Sequence, residues 1–301
     1  HWFFAWLGLE LNTMAIIPIL TKHHHPRATE AGTKYFIVQA MASAIILFSS
    51  MYNAWFTGMW DITQLTTHQS TLMLTLALAM KLGLAPMHFW LPEVMQGISL
   101  SSALLIATWQ KLPPICLFYL TTNQLPTTML LILALISTLV GGWGGLNQTQ
   151  ARKIMAFSSI AHMGWMAAIL PISQKLLLLT LIIYMFMTTA MFTTLITLTT
   201  KTLKDLGQTW TTSPTLTSTM MLILMSLGGL PPLIGFLPKW LILKELIYNH
   251  LILLATLMAL SSLLSLMFYM RLTFTTTLTT PPSTSNSSLK WRFKPHKTLN
   301  P

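Results

Sequence analysis

Charge is scarce in this sequence, and negative charge is scarcest. Only 8% of the 301 residues are charged, with 17 Lys and Arg against 6 Asp and Glu. A soluble domain carries about 25% charged residues, so this chain is not one. The single cysteine, Cys116, excludes a disulfide within the chain. It also excludes a Cys-only iron–sulfur centre, which needs four thiolates. No carboxylate cluster could hold a divalent metal, and no Ser/His/Asp or Cys/His arrangement stands out. "GGWGGLN", Gly141 to Asn147, is not a dinucleotide fingerprint, because no strand precedes it and the spacing is wrong. No stretch mixes basic and aromatic residues as a nucleic-acid groove does, despite a net charge of +11. No run alternates as a barrel strand would.

What fills the sequence instead is apolar. Hydrophobic residues make up 53% and the mean hydropathy is +0.63. Runs of about 20 apolar residues recur, each long enough to cross a bilayer as a helix. The fold class is therefore an all-α polytopic transmembrane bundle. Nine crossings are expected, near 1–20, 35–57, 71–91, 99–120, 127–146, 151–171, 175–200, 216–249 and 251–273. A polar loop is expected over 274–301, rich in Ser, Thr and Pro. The opening inside an apolar run suggests a segment of a longer chain.

The basic residues sort to one side. Lys22, Arg27, Lys34, Arg152, Lys153, Lys201 and Lys204 fall in loops on the side reached by the first helix, as do Lys290, Arg292, Lys294 and Lys297 of the tail. Little beyond Lys175 and Lys244 opposes them. By the positive-inside rule this side faces the cytoplasm or its organellar equivalent. The count also makes 216–249 one interrupted crossing, since two would put the tail on the wrong side.

An internal repeat supports that interruption. "KLGLAPMHFWLPE" from Lys81 resembles "SLGGLPPLIGFLPK" from Ser226 at a spacing of about 145 residues, with one extra residue in the second copy before Leu237 and Pro238. Paired Gly/Pro-interrupted helices in two halves of a chain point to a transport site.

Four ionisable residues lie inside apolar runs: Glu10, Lys81, Lys111 and Lys239. Each costs about 2.5–3.5 kcal/mol at a bilayer centre even on the lenient insertion scale. Snorkelling or a structural ion pair is the bland alternative, weakest for Lys81 and Lys111. Nearby prolines free backbone carbonyls: Pro86 that of Leu82, Pro113 and Pro114 those of Trp109 and Gln110, Pro231 and Pro232 those of Leu227 and Gly228. Such carbonyls must be buried in protein or wetted, so each break brings dipoles and water to a lysine. A carboxylate moving toward or away from a buried amine changes which protonation state is favoured. At ~4 Å and an effective dielectric of about 20 the pair is worth about 4 kcal/mol. Membrane potential supplies about 2.3 kcal/mol per charge per 100 mV. His88 and His162 are possible relays, since imidazole titrates near neutral pH. Tyr119 and Ser158 could join a polar file. "KHHHP", Lys22 to Pro26, lacks the spacing of a metal site. The glycines of "GGWGGLN" suit close helix packing or a helix end, and the 21 Met are apolar filler.

"FWLPEVMQGISLSSALLIATWQKL", "GGWGGLNQTQARKIMAFSSIAHMGWM" and "SLGGLPPLIGFLPKW" resemble the antiporter-like membrane subunits of mitochondrial NADH:ubiquinone oxidoreductase, respiratory complex I. More widely they resemble bacterial cation/proton antiporter subunits. "ELNTMAIIPIL" near the start is similar to the vertebrate form. The resemblance implies two inverted five-helix repeats, each with one broken helix, and a segment lacking the first and last helices. It implies proton translocation coupled to electron transfer from NADH to ubiquinone. Glu10 and Lys81 would match the family's glutamate–lysine pair, Lys111 its central lysine and Lys239 its terminal charged residue. NADH, FMN, iron–sulfur clusters and ubiquinone would belong to the assembly, with no cofactor in this chain. Its partners would be other membrane-arm subunits and lipids, with no nucleic acid, and the basic side would be the matrix of a mitochondrial inner membrane. A stand-alone cation/proton antiporter of the same fold and a structural membrane-arm scaffold are the competing readings.

Overall fold

The computed structural model describes residues 1–22 and 24–279. The tail residues Lys290, Arg292, Lys294 and Lys297 lie outside them, as does His23. The elements are α1 (Trp2–Thr21), α2 (Pro26–Thr57), α3 (His68–Leu82), α4 (Trp90–Gly97), α5 (Leu100–Ala107), α6 (Leu112–Thr121), α7 (Thr127–Gly145), α8 (Ala151–Ile169), α9 (Gln174–Leu198), α10 (Leu203–Thr212), α11 (Pro214–Gly228), α12 (Phe236–Tyr248) and α13 (Ile252–Phe274). Among the described residues there is no strand, only an isolated bridge between Gln150 and Thr202.

Among the described residues six units are long and apolar enough to span a membrane: α1, α2, Leu100–Gln124, α7, α9 and α13. The three further expected crossings fall on α8 and on the broken pairs α3–α4 and α11–α12. Helix α2 starts nine residues before the expected 35. Pro26 takes the first helical position, which needs no N–H, and the His25 ring accepts the Arg27 N–H at 3.2 Å. At about 1.5 Å per residue α2 is about 48 Å long, well beyond the ~30 Å hydrocarbon core. Its first turns therefore stand outside, where Lys34 pairs with Glu30 at 2.7 Å and Glu93 at 2.8 Å.

The two breaks repeat each other residue for residue. Helices α3 and α11 are both 15 residues long. Gly83 (φ 77°) and Gly229 (φ 83°) end them in the left-handed region, where an L side chain is strained. Each end closes as a Schellman motif: Leu84 N–H to Ala79 C=O at 2.9 Å in one, Leu230 N–H to Met225 C=O at 3.3 Å in the other. Three residues on, Ala85–Pro86 and Pro231–Pro232 are both cis. The helix resumes at Trp90 and at Phe236. Every one of these pairs is separated by 146 residues, which corrects the expected 145 and removes the extra residue. The doublet Gly228-Gly229 caused the slip, because only its second member carries positive φ. With α8 and the broken pairs counted as crossings, the breaks occupy the third and eighth. Five crossings apart, they run through the membrane in opposite senses, which is the inverted repeat.

Helix α8 is the centre of the bundle, buried on all sides. Small residues bring α7 onto it: a β-carbon at Gly141 would lie 2.6 Å from the Ala161 backbone nitrogen. Four residues on, along the adjoining flank of α7, a β-carbon at Gly145 would meet the Phe268 ring of α13 at 2.8 Å. The expected packing role of "GGWGGLN" is thus what these glycines do.

Helix α10 has no counterpart among the expected elements. It is amphipathic, with Leu206 buried, and Thr202 and Asp205 form a capping box at its start. The bridge beside it, with Ala151 N–H to Lys201 C=O at 3.2 Å, clips it to the start of α8.

The apolar core is two slabs rather than one. One contains Leu9, Leu82, Ile115, Met163, Leu177 and Ile242. The other contains Ile16, Trp90, Ile106, Ile160, Met191 and Leu227. Along α8 the change from one to the other falls between Ile160 and Met163, which is where His162 sits.

Candidate functional site

The expected ionisable residues gather at the seam between the slabs. Lys81, Lys111 and Lys239 are 5%, 3% and 8% exposed. Each is held by an interrupted helix. Lys81 ends the first half of one broken helix, and Lys239 opens the second half of the other. Lys111 stands where α5 gives way to a 3-10 turn over Trp109–Lys111 before α6.

Of the five carbonyls expected to be freed by proline, that of Gly228 meets a lysine; at the other two interruptions the carbonyls that take side-chain donors are those of Ala107 and Met80 instead. The Gly228 carbonyl would accept the N–H that Pro232 lacks, and the Lys239 amine donates to it instead at 2.9 Å. In the middle of the chain the 3-10 turn sends the Lys111 N–H to Thr108 at 3.2 Å. That leaves the Ala107 carbonyl for the Tyr184 hydroxyl, which donates to it at 3.0 Å. The same hydroxyl accepts from the Lys111 amine at 3.4 Å. Near the first break the Trp90 indole N–H takes the Met80 carbonyl at 3.1 Å.

These groups form a file. Lys81 and Lys111 line one cavity with Tyr35, Gln39, Trp90 and Gln110. It offers about 10 Å³ to water centres, close to the least that holds one water. From Lys111 the file passes to Tyr184, whose ring centre is 5.5 Å from that of His162. His162, Tyr184 and Lys239 then line a second cavity offering about 30 Å³ to water centres.

Glu10 flanks the first end. It lies within electrostatic reach of Lys81 and of the Tyr35 hydroxyl, yet it is not in salt-bridge contact with Lys81. The acid–base ion pairs among the described residues are those of Lys34. One oxygen of Glu10 and the Lys81 nitrogen are both buried without a hydrogen-bond partner.

His88 does not join the file. Its ring faces the Pro86 carbonyl at 3.3 Å and the Phe89 ring at 4.3 Å, and it lines neither cavity. Nor does Ser158, which donates to Met155 at 2.8 Å, or Tyr119, which packs with an apolar slab. Among the described residues no group of three metal-ligating side chains occurs, and His25 of "KHHHP" serves as a helix cap. Tyr184 was missed by the sequence reading. Nothing in the apolar run of α9 marks it, because its partners lie 73 and 77 residues away. Arg152 and Arg271 bond the carbonyls of Ile98 and Leu146, so guanidinium groups cap the ends of α4 and α7.

A polytopic helical bundle with two inverted broken helices and a buried file of amines belongs to the antiporter class of membrane proteins. Residues 1–265 match the family described as NADH:quinone oxidoreductase/Mrp antiporter, and residues 266–301 match the NADH dehydrogenase subunit 2 C-terminus. The chain belongs to the NADH:quinone oxidoreductase/Mrp antiporter family. It is 57% identical over 292 residues to NADH-ubiquinone oxidoreductase chain 2 of Xenopus laevis, covering 97% of this chain and 85% of that one. Among solved structures it is similar to a chain of respiratory complex I from Thermus thermophilus with bound aureothin, at a TM-score of 0.85 and 26% identity, covering 96% of this chain and 70% of that chain. A chain of the Mrp complex from a Dietzia species shares the fold at a TM-score of 0.75 and 21% identity, with 83% and 51% covered.

Proposed function

We propose that this chain is the antiporter-like membrane-arm subunit of respiratory complex I and that it moves protons along the file Glu10, Lys81, Lys111, Tyr184, His162 and Lys239. It is a multi-pass protein of the mitochondrial inner membrane, with its basic side toward the matrix. NADH, FMN, iron–sulfur clusters and ubiquinone belong to the assembly, and other membrane-arm subunits and lipids are its neighbours. The observation that carries the reading is the placement of three buried lysines at three helix interruptions, joined by Tyr184, His162 and two cavities.

The chemistry follows from these positions. Quinone chemistry elsewhere in the assembly shifts Glu10 relative to Lys81 and so changes the protonation that Lys81 favours. Lys81 passes a proton across the shared cavity to Lys111. Tyr184 accepts the proton from Lys111 while its own hydroxyl hydrogen leaves the Ala107 carbonyl and passes, through the cavity that Tyr184, His162 and Lys239 line, toward His162; Lys239 exchanges it at the far end. The match of residues 266–301 to the NADH dehydrogenase subunit 2 C-terminus favours this reading over a stand-alone antiporter.

The test is Lys81→Met and Lys111→Met in the assembled complex, with NADH oxidation and proton uptake followed together in sealed membranes. Pumping should be lost with assembly intact. Unchanged pumping stoichiometry in both variants overturns the proposal, and loss of assembly alone would favour the scaffold.

A further inference from the structure

We infer that the Asn12–Gln110 amide pair is a brace that fixes the rotation of α1 and thereby sets how Glu10 faces Lys81. Resting on the proton-file reading above, this makes Asn12 and Gln110 positioning residues rather than carriers of the proton.

Helix α1 is pinned at its start, where the Trp2 N–H donates to the Trp60 carbonyl at 3.0 Å. Beyond that its buried stripe, Trp2, Leu9, Thr13, Ile16 and Leu20, packs by shape alone apart from the Thr13 hydroxyl, which bonds within α1. Among the described residues its side chains make hydrogen bonds to only one other helical unit, through a single residue. Asn12 Nδ2 donates to Gln110 Oε1 at 2.7 Å, and Gln110 Nε2 donates back to Asn12 Oδ1 at 3.3 Å. The Tyr35 hydroxyl adds a third bond to Gln110 Oε1 at 3.3 Å, and the Tyr35 ring is itself held edge-on to Trp90 at 5.8 Å.

The geometry turns this contact into a lever. Successive residues step by about 100° around a helix, so Glu10 and Asn12 point about 160° apart, on the two flanks of the buried stripe. Holding Asn12 fixes the angle at which Glu10 projects. Rotation of α1 by a few tens of degrees would carry Glu10 toward or away from Lys81. The other end of the brace is next to Lys111, in the 3-10 turn, and Gln110 lines the cavity that Lys81 and Lys111 share. A shift in that turn therefore moves Glu10, and a shift of Glu10 moves the turn. A neutral amide suits this place, because it adds no third charge between two amines and does not titrate.

The experiment uses the whole complex in sealed membranes. Asn12→Leu and Gln110→Met each break the brace. Each should lower pumping per NADH oxidised about tenfold and shift its pH profile, and the double variant should be no worse than either single one. The exchanged pair, Asn12→Gln with Gln110→Asn, rebuilds the amide contact at the same total length and should restore pumping to within about twofold. If the single variants do not assemble, the exchanged pair decides. Assembly with pumping supports the brace, and assembly without pumping overturns it. Single variants that pump within about twofold of the parent, while Lys111→Met does not pump, overturn the brace and leave the proton file standing. Unchanged pumping in Lys111→Met removes the file, and the brace with it.

Discussion

The Lys239 amine donates to the Gly228 carbonyl across 2.9 Å, so the second helix break is closed by a side chain that can itself exchange a proton. Two roles, structural and chemical, sit on one nitrogen. Lys239→Met removes both and leaves a buried carbonyl unpartnered, at about 1–3 kcal/mol. Lys239→Arg keeps a donor but cannot release its proton. Thermal stability of the complex should fall only for Met, while pumping should fall for both. Full pumping by the Arg variant would show that the amine does not need to deprotonate.

Tyr184→Phe separates packing from proton chemistry. The ring contacts to His162 and Lys111 remain, at 5.5 Å and 5.4 Å. The hydroxyl bonds to Ala107 and Lys111 go. Stability should drop by about 1–3 kcal/mol, because the buried Ala107 carbonyl and Lys111 amine lose their partner, and NADH-driven proton uptake should slow markedly. Proton uptake equal to the parent's would take Tyr184 out of the file.

The paired glycines give a control built into the repeat. Alanine at either Gly83 or Gly229 is strained in the left-handed region, by about 1–2 kcal/mol. Only at Gly229 does the new β-carbon reach a lysine, 3.0 Å from Lys239 Nζ; at Gly83 it meets Leu91 at 3.4 Å and Trp90 at 3.5 Å. Gly229→Ala should therefore impair pumping beyond its loss of stability, and Gly83→Ala should not. Comparing the two in one assay checks it, and equal pumping at equal stability would mean that the Lys239 position is not critical.

Asp205 gives α10 a pH dependence outside the membrane. Bonds from the backbone N–H groups of Thr202, at 2.9 Å, and of Lys201, at 3.1 Å, hold its carboxyl below the usual carboxylate range. A lowered folded value means the cap is at full strength above the ordinary Asp pKa of about 3.9 and weakens as pH falls through the folded value. The protection of the amides at the start of α10, taken relative to their intrinsic exchange rates, should fall on that descent. In Asp205→Asn the acid dependence should vanish, and an unchanged pH profile there would assign it to another group.

The lysines, the helix breaks and the tight α7–α8 packing were legible because their signals are local. A charge or a Pro in an apolar run and a cluster of glycines each carry their own physical cost. Three features were not. The repeat register slipped by one residue because only the backbone angle distinguishes Gly228 from Gly229. Helix α10 is short and polar, so no apolar run announces it. Tyr184 gains its meaning from Lys111 and Ala107, and no pattern within α9 encodes a contact made by tertiary packing. His88 shows the converse, since an imidazole beside a break looks like a relay until its aromatic neighbours and its place outside both cavities are seen.

The two apolar slabs have an electrical consequence. A file lying in the seam between them runs along the membrane plane, at right angles to the field of the membrane potential. A charge moving from Lys81 to Lys239 by this route changes its electrical energy little, whatever the voltage. The ~2.3 kcal/mol per charge per 100 mV is met almost entirely on the short passages through the slabs, where a proton enters or leaves. Voltage should therefore act on loading and release at the ends of the file, and scarcely on transfer between its lysines.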